Sequence, residues 1–183
     1  MIKGEKIRLD IHSILYSIHK FNKNLDNQEI KTKIDKHSEN DISFLINVTL
    51  TSMRYHLHIE KIINKYVKKK LRVHEKILLL SAITQIVFLN FKDYAVINCS
   101  VEIAKKLKIY PGLINAVLKN ISKDKVDLKN VKIIYNDLPE WFKLNTRSLN
   151  NNDKKNFLNT FNKQPDLHIV FKNKEKLNSF EKK

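Results

Sequence analysis

From Glu75 to Leu89 almost every residue is apolar: EKILLLSAITQIVFL. A surface helix alternates apolar and polar faces, so a run this continuous must be surrounded on most sides. It is too short to cross a bilayer, and no uncharged apolar run in the chain reaches the required length of about 18 residues. The run therefore predicts the central helix of a packed core. Other elements must supply the walls around it.

Those walls read as helices. Ile7, Ile11, Ile14, Leu15 and Ile18 recur at three-to-four spacing and predict an amphipathic first helix. Residues 22–40 are polar and aperiodic and read as a loop with at most one helical turn. Asn40 or Asp41 is placed to cap the next helix, because a short acceptor side chain there satisfies a free N–H. That helix carries Ile42, Leu45, Val48 and Met53. Ile59, Ile62, Ile63, Tyr66 and Val67 mark a third, which ends in Lys68-Lys69-Lys70. After the central run, Ile97, Val101, Ala104 and Leu107 form one face of a fifth helix. Pro111 suits the first turn of a sixth, where its missing N–H costs little. The sixth buries Leu113, Ile114, Val117, Leu118 and Ile121.

The pattern breaks at 123–138. Beyond it we expect short helices near 139–146 and 152–162, an extended segment at Leu167–Phe171, and a frayed polar end from Lys172. Trp141 and Phe142 are expected to dock on the main domain. With only two glycines and three prolines in 183 residues, a turn-rich β architecture is disfavoured. The predicted class is all-α, with residues 1–123 as the main domain and 124–183 as a linker and small extension.

The charge is lopsided. Lys+Arg number 35 against 19 Asp+Glu, a formal net charge of +16. Such a field favours a polyanion partner. Only four of the cations are arginine, and the richness in Lys, Asn and Ile is what AT-rich codons produce. Codon bias would enrich Glu equally, so it does not explain the excess of positive charge. The N-terminus has no apolar segment to serve as a signal peptide. Cys99 is the single cysteine, which excludes an intramolecular disulfide and fits a reducing, cytoplasmic setting.

Chemistry is hard to place on this chain. Glycine-rich turns that let a backbone approach a nucleotide or phosphate are missing, so neither a Rossmann turn nor a P-loop is present. The seven histidines form no HExxH and pair with no cysteine at zinc spacing. His56 and His58, two apart, fall on different helix faces. Glu102 reads as a surface ion-pair member, Asp93 as the other conceivable acid–base group, and Cys99 as a packing residue. We expect no catalytic residue, no cofactor and no metal.

The segments AVINxxVEIAKK (Ala95–Lys106) and INAVLK (Ile114–Lys119), with IRLDIHSILYSIHKF before them, resemble the NusB family. That family includes the antitermination factor NusB and the N-terminal RNA-binding domain of RsmB-type ribosomal RNA cytosine-C5 methyltransferases. The segment DISFLINVTLTSMRYHLHIEKII is similar to the family's second helical motif. The resemblance implies a NusB-like helical bundle that binds RNA. Carried onto this chain, its RNA contacts fall on Lys3, Lys6, Arg8, Arg54 and Lys119. Lys119 stands where the family usually has arginine, replacing a planar fork by a point charge.

The segment Leu138-Pro139-Glu140-Trp141-Phe142 is similar to the element that follows the helical domain in the RsmB branch. Asn162–Pro165 through Val170 is similar to the entrance of its catalytic part. The resemblance therefore implies ribosomal RNA as partner, with a methyltransferase domain supplied in trans. The antitermination branch would instead imply nascent RNA and a ribosomal protein. A helical protein–protein module with incidental charge is the third expectation, and no membrane partner is expected.

Overall fold

In a computed structural model, which describes residues 4–161, 163 and 169–181, the chain is helical with no strand among the described residues. Two compact units divide it, residues 1–148 and 149–183. The first contains α1 (Glu5–Phe21), α2 (Gln28–Ile34), α3 (Glu39–Arg54), α4 (His56–Tyr66), α5 (Val73–Ile83), α6 (Asp93–Lys106), α7 (Pro111–Leu128) and α8 (Glu140–Asn145). The second contains α9 (Asn151–Thr160) and α10 (Lys174–Glu181).

The apolar run is the core, as its composition requires. Helix α5 packs against α1, α3, α4, α6 and α7. Leu79, Leu80, Ile83 and Ile86 have no exposed surface. The run is not one α-helix, however. Residues Thr84–Phe88 widen into a π-helical turn, with Leu89 N–H donating to the Thr84 carbonyl at 3.0 Å. The extra residue in that turn rotates the following chain, and Phe91 N–H reaches back to the Gln85 carbonyl at 2.9 Å. Side chains support the turn from within. Thr84 Oγ1 donates to the Leu80 carbonyl (2.8 Å) and lies 2.9 Å from Ser52 Oγ of α3. Gln85 Nε2 donates to the Ser81 carbonyl at 3.1 Å.

Several boundaries differ from expectation, each for a local reason. The segment read as a loop holds α2, capped by Asn27 and pinned by the buried Ile30. Ser38, not Asn40 or Asp41, caps α3: its Oγ accepts from Asp41 N–H at 3.4 Å. Asp41 instead lies in the first turn, where its charge complements the helix dipole. Helix α7 continues past 123 to Leu128, because Ile121 and Leu128, seven residues apart, both bury on one face. Beyond α7, Val131 packs against the core and Leu138 is buried. Trp141 is 66% exposed and meets the edge of the half-buried Phe142, so the expected docking of the tryptophan is not observed. Lys61 Nζ to Asp137 Oδ2, 2.7 Å, ties this region to α4, and the first compact unit includes it, running to 148.

In the second unit α9 stands where a helix was expected. Of the predicted extended segment, Leu167 and His168 lie outside the described residues, and 169–171 adopt no regular structure. The frayed end is instead α10, whose Phe180 ring sits 5.4 Å from Phe171.

A histidine seam joins α1 to α4 and α5. His12 stacks on His74 (5.3 Å), Tyr16 lies flat on His74 (4.2 Å), and His19 stacks on His56 (4.8 Å). Burial, then the nearby His74 and His56, lower the His12 and His19 pKa values to about 4. Glu60 is held at about 2, chiefly by its hydrogen bond from His56, with Lys76 assisting against the cost of burial.

Two outcomes follow for stability. Ile83→Ala or Ile86→Ala should cost about 2–5 kcal/mol in urea unfolding, because each opens a cavity in the enclosed core. The histidines, near 6.5 when unfolded, take up protons on unfolding in acid. Their contribution is complete above about pH 6.5 and is lost as pH falls towards 4. Glu60 weakens the fold only below its ordinary carboxylate range. Urea midpoints should therefore fall between pH 6.5 and 4, and His12→Phe should flatten that fall.

Candidate nucleic-acid interface

Each expected contact residue has a distinct setting. Lys3 lies outside the described residues. Lys6 is exposed on the first turn of α1. Arg8 is half-buried and committed to the fold: its Nε donates to Gln85 Oε1 (2.7 Å) and its Nη1 to the Gly4 carbonyl (3.1 Å). Its guanidinium lies over the Phe44 ring at 5.2 Å, and burial lowers its pKa. Gly4 makes the capping geometry possible. Its φ of 80° suits glycine, and a Cβ there would come within 2.6 Å of Arg8 Nη1.

Arg8 reaches Lys119 through a ladder of rings. Phe44 of α3 meets Phe91 edge-on at 5.3 Å. Phe91 in turn lines an open cleft of about 630 Å³ between the start of α6 and the middle of α7. Lys119 lines the same cleft, with Lys92, Tyr94, Asn98 and Lys125. Arg54 is not part of this group. It ends α3, ten residues beyond Phe44, or about 15 Å along the helix axis. The end of α1 shares a separate cavity with Met53, which places Arg54 at the far end of the α1–α3 pair.

The cleft is built by local rules. Asn90, at φ 53°, turns the chain after the π-helical turn. Asp93 opens α6 and accepts from Ser122 Oγ (2.5 Å) and Lys125 Nζ (3.1 Å) of α7. Asp93 thus joins two helices. Glu102 pairs with Lys105 at 2.6 Å on the surface, as its sequence context suggested. Cys99 is buried; burial raises its pKa and Arg8 partly opposes this.

What the cleft offers is specific. Tyr94 is 67% exposed, and three lysines outnumber one aspartate on the lining. Exposed rings stack unpaired bases, lysines hold phosphates, and the Asn90 and Asn98 amides can bond base edges. Among the described residues no group of three or more His, Cys, Asp or Glu side chains can hold a metal ion. No described helix is long and apolar enough to cross a membrane.

Phe91, Lys92, Tyr94, Asn98 and Lys125 were not singled out from sequence. The signal was present in part, as aromatic and basic residues flanking the AVIN and INAVLK motifs. Spacing alone does not show that residues 91–98 face 119–125.

The contrast between Arg8 and Lys6 can be measured. Arg8→Ala removes two hydrogen bonds, including the donor to Gln85 Oε1, and should destabilise the fold by about 1–3 kcal/mol. Lys6→Ala should change stability by less than about 0.5 kcal/mol. Thermal unfolding of both variants separates an arginine held for structure from a lysine facing solvent.

Comparison with known proteins supports the helical reading over most of this unit. No curated protein sequence matches the chain. The family model that matches is that of the NusB family, over residues 5–123, from the start of α1 through the cleft face of α7. The chain belongs to the NusB family.

Proposed function

We propose that this chain is an RNA-holding module, the counterpart of the N-terminal domain of an RsmB-type ribosomal RNA cytosine-C5 methyltransferase. In this reading it works in the cytoplasm without catalysis of its own. The observation that carries the RNA reading is the α6–α7 cleft, where an exposed Tyr94 ring stands among Lys92, Lys119 and Lys125. One strand would stack a base on Tyr94 while the lysines take its phosphates. Affinity then comes mainly from charge, and sequence preference from the two asparagine amides.

The RsmB branch is favoured by the Leu138–Phe142 element, which buries Leu138 and leaves Trp141 open beside it. A methyltransferase domain would supply the chemistry, and ribosomal RNA would be the common substrate. The antitermination branch predicts a different cargo. RNA cross-linked to the chain in its own cells would then be nascent leader transcript rather than ribosomal RNA of assembling subunits.

The direct test is binding of single-stranded oligouridylate across a salt series. Each phosphate contact should contribute roughly −0.7 to the slope of log affinity against log salt. Lys92→Glu with Lys119→Glu should weaken binding by about ten-fold or more and flatten that slope. Tyr94→Ala should weaken binding by about 1–3 kcal/mol with the slope intact. Lys154→Glu with Lys155→Glu in the second unit should do neither. Equal damage from that control would leave only a diffuse polyanion attraction. Titration with S-adenosylmethionine should show no binding, and saturable binding would contradict the non-catalytic reading.

A further inference from the structure

A second concentration of positive charge lies away from the cleft and from every residue matched to the family's contacts. Residues 65–72 read KYVKKKLR, five cations in eight positions across the end of α4 and the start of α5. Three of the five are engaged locally. Lys65 lies over the Tyr66 ring at 5.3 Å, Lys68 Nζ donates to the Asn64 carbonyl at 3.2 Å, and Arg72 pairs with Glu75 at 3.0 Å. Lys69 and Lys70 are exposed and line a groove of about 310 Å³ floored by Ile63, Val67 and Leu71. Lys76 closes one side, where it is paired with Glu60, so the groove's single carboxylate is already neutralised.

The corner is tied to the cleft through α7. Tyr66 Oη donates to Asp124 Oδ2, and Asp124 immediately precedes Lys125 of the cleft. Lys69 is three residues from Tyr66, so the two Cα atoms are within about 11 Å of each other. Lys123, one helical turn beyond Lys119 on α7, is exposed as well. Exposed cations thus stand on α7, at Lys119 and Lys123, and on the α4–α5 corner tied to it, at Lys69 and Lys70. An apolar floor with ammonium groups at its rim suits a sugar–phosphate backbone, with sugars against the floor and phosphates at the rim.

We propose that the α4–α5 groove is a second RNA-backbone site, taking phosphates of a strand whose neighbouring nucleotides occupy the α6–α7 cleft. The inference rests on the RNA-binding reading above. It makes the chain's footprint longer than the cleft, with Lys69 and Lys70 acting only on strands long enough to cross α7.

Oligouridylates of increasing length test it, with wild-type chain and the double variant Lys69→Glu, Lys70→Glu compared by fluorescence anisotropy. Wild-type affinity should rise again once the strand outgrows the cleft. The variant should bind the shortest oligonucleotide as wild type does, lose about ten-fold or more on long ones, and show a salt slope smaller by about 1.4. Equal affinity of both proteins for long strands would overturn the proposal while leaving the cleft intact. Loss of binding to phosphatidylserine vesicles, with long-RNA affinity retained, would overturn it in favour of a lipid surface. Failure of wild type to bind any oligonucleotide would overturn both this proposal and the reading it rests on.

Discussion

Enclosure of the run from Ile77 to Val87 is the constraint on which the rest of the unit depends. Five helices contact α5, and its central side chains have no exposed surface. Burying each such side chain contributes about 1.5–3 kcal/mol, so this one segment accounts for much of the driving force. Because every wall helix needs an apolar stripe towards α5, its polar residues are pushed outward. The basic character of the outer surface is therefore compatible with the core at no cost in packing.

The same segment sets the cleft. Its π-helical turn places Gln85 where Arg8 can bond it, and turns the chain so that Phe91 packs on Phe44. Asp93 then starts α6 against Ser122 and Lys125 of α7. Arg8, Gln85, Phe44 and Phe91 form a continuous support behind the lysines that face solvent. Arg8 is tied into this support by its bonds to Gln85 and Gly4, whereas Lys6 beside it on α1 faces solvent. The π-helical turn would thus link core packing to the position of the site.

Much of this fold was legible in the residues. The three-to-four spacing of Ile7, Ile11, Ile14 and Ile18 gave α1, and the unbroken run gave the core. Pro111 gave the start of α7. Helix ends were less legible, because Ile30 and Leu128 are stabilised by tertiary burial that no local pattern announces. The π-helical turn depends on side-chain bonds from Thr84 and Gln85 to the preceding turn, which composition does not reveal. Among site residues, Lys119 was placed in a cleft and Lys6 on the surface. Arg8 and Arg54 carry the same charge in sequence but occupy different settings, one bound into the core edge and one at the far end of α3. Charge is readable from a chain; which charges remain unspent after folding is not.

The central claim is that a defined cleft, rather than the general field of a +16 chain, holds RNA. Amide chemical-shift mapping during titration with a short oligouridylate at physiological salt tests it most directly. The account predicts shifts concentrated at Phe91, Lys92, Tyr94, Asn98 and Lys119, with saturation at one strand per chain. Small shifts spread over lysines of both units, or none at Tyr94 and Lys119 while other residues saturate, would contradict it.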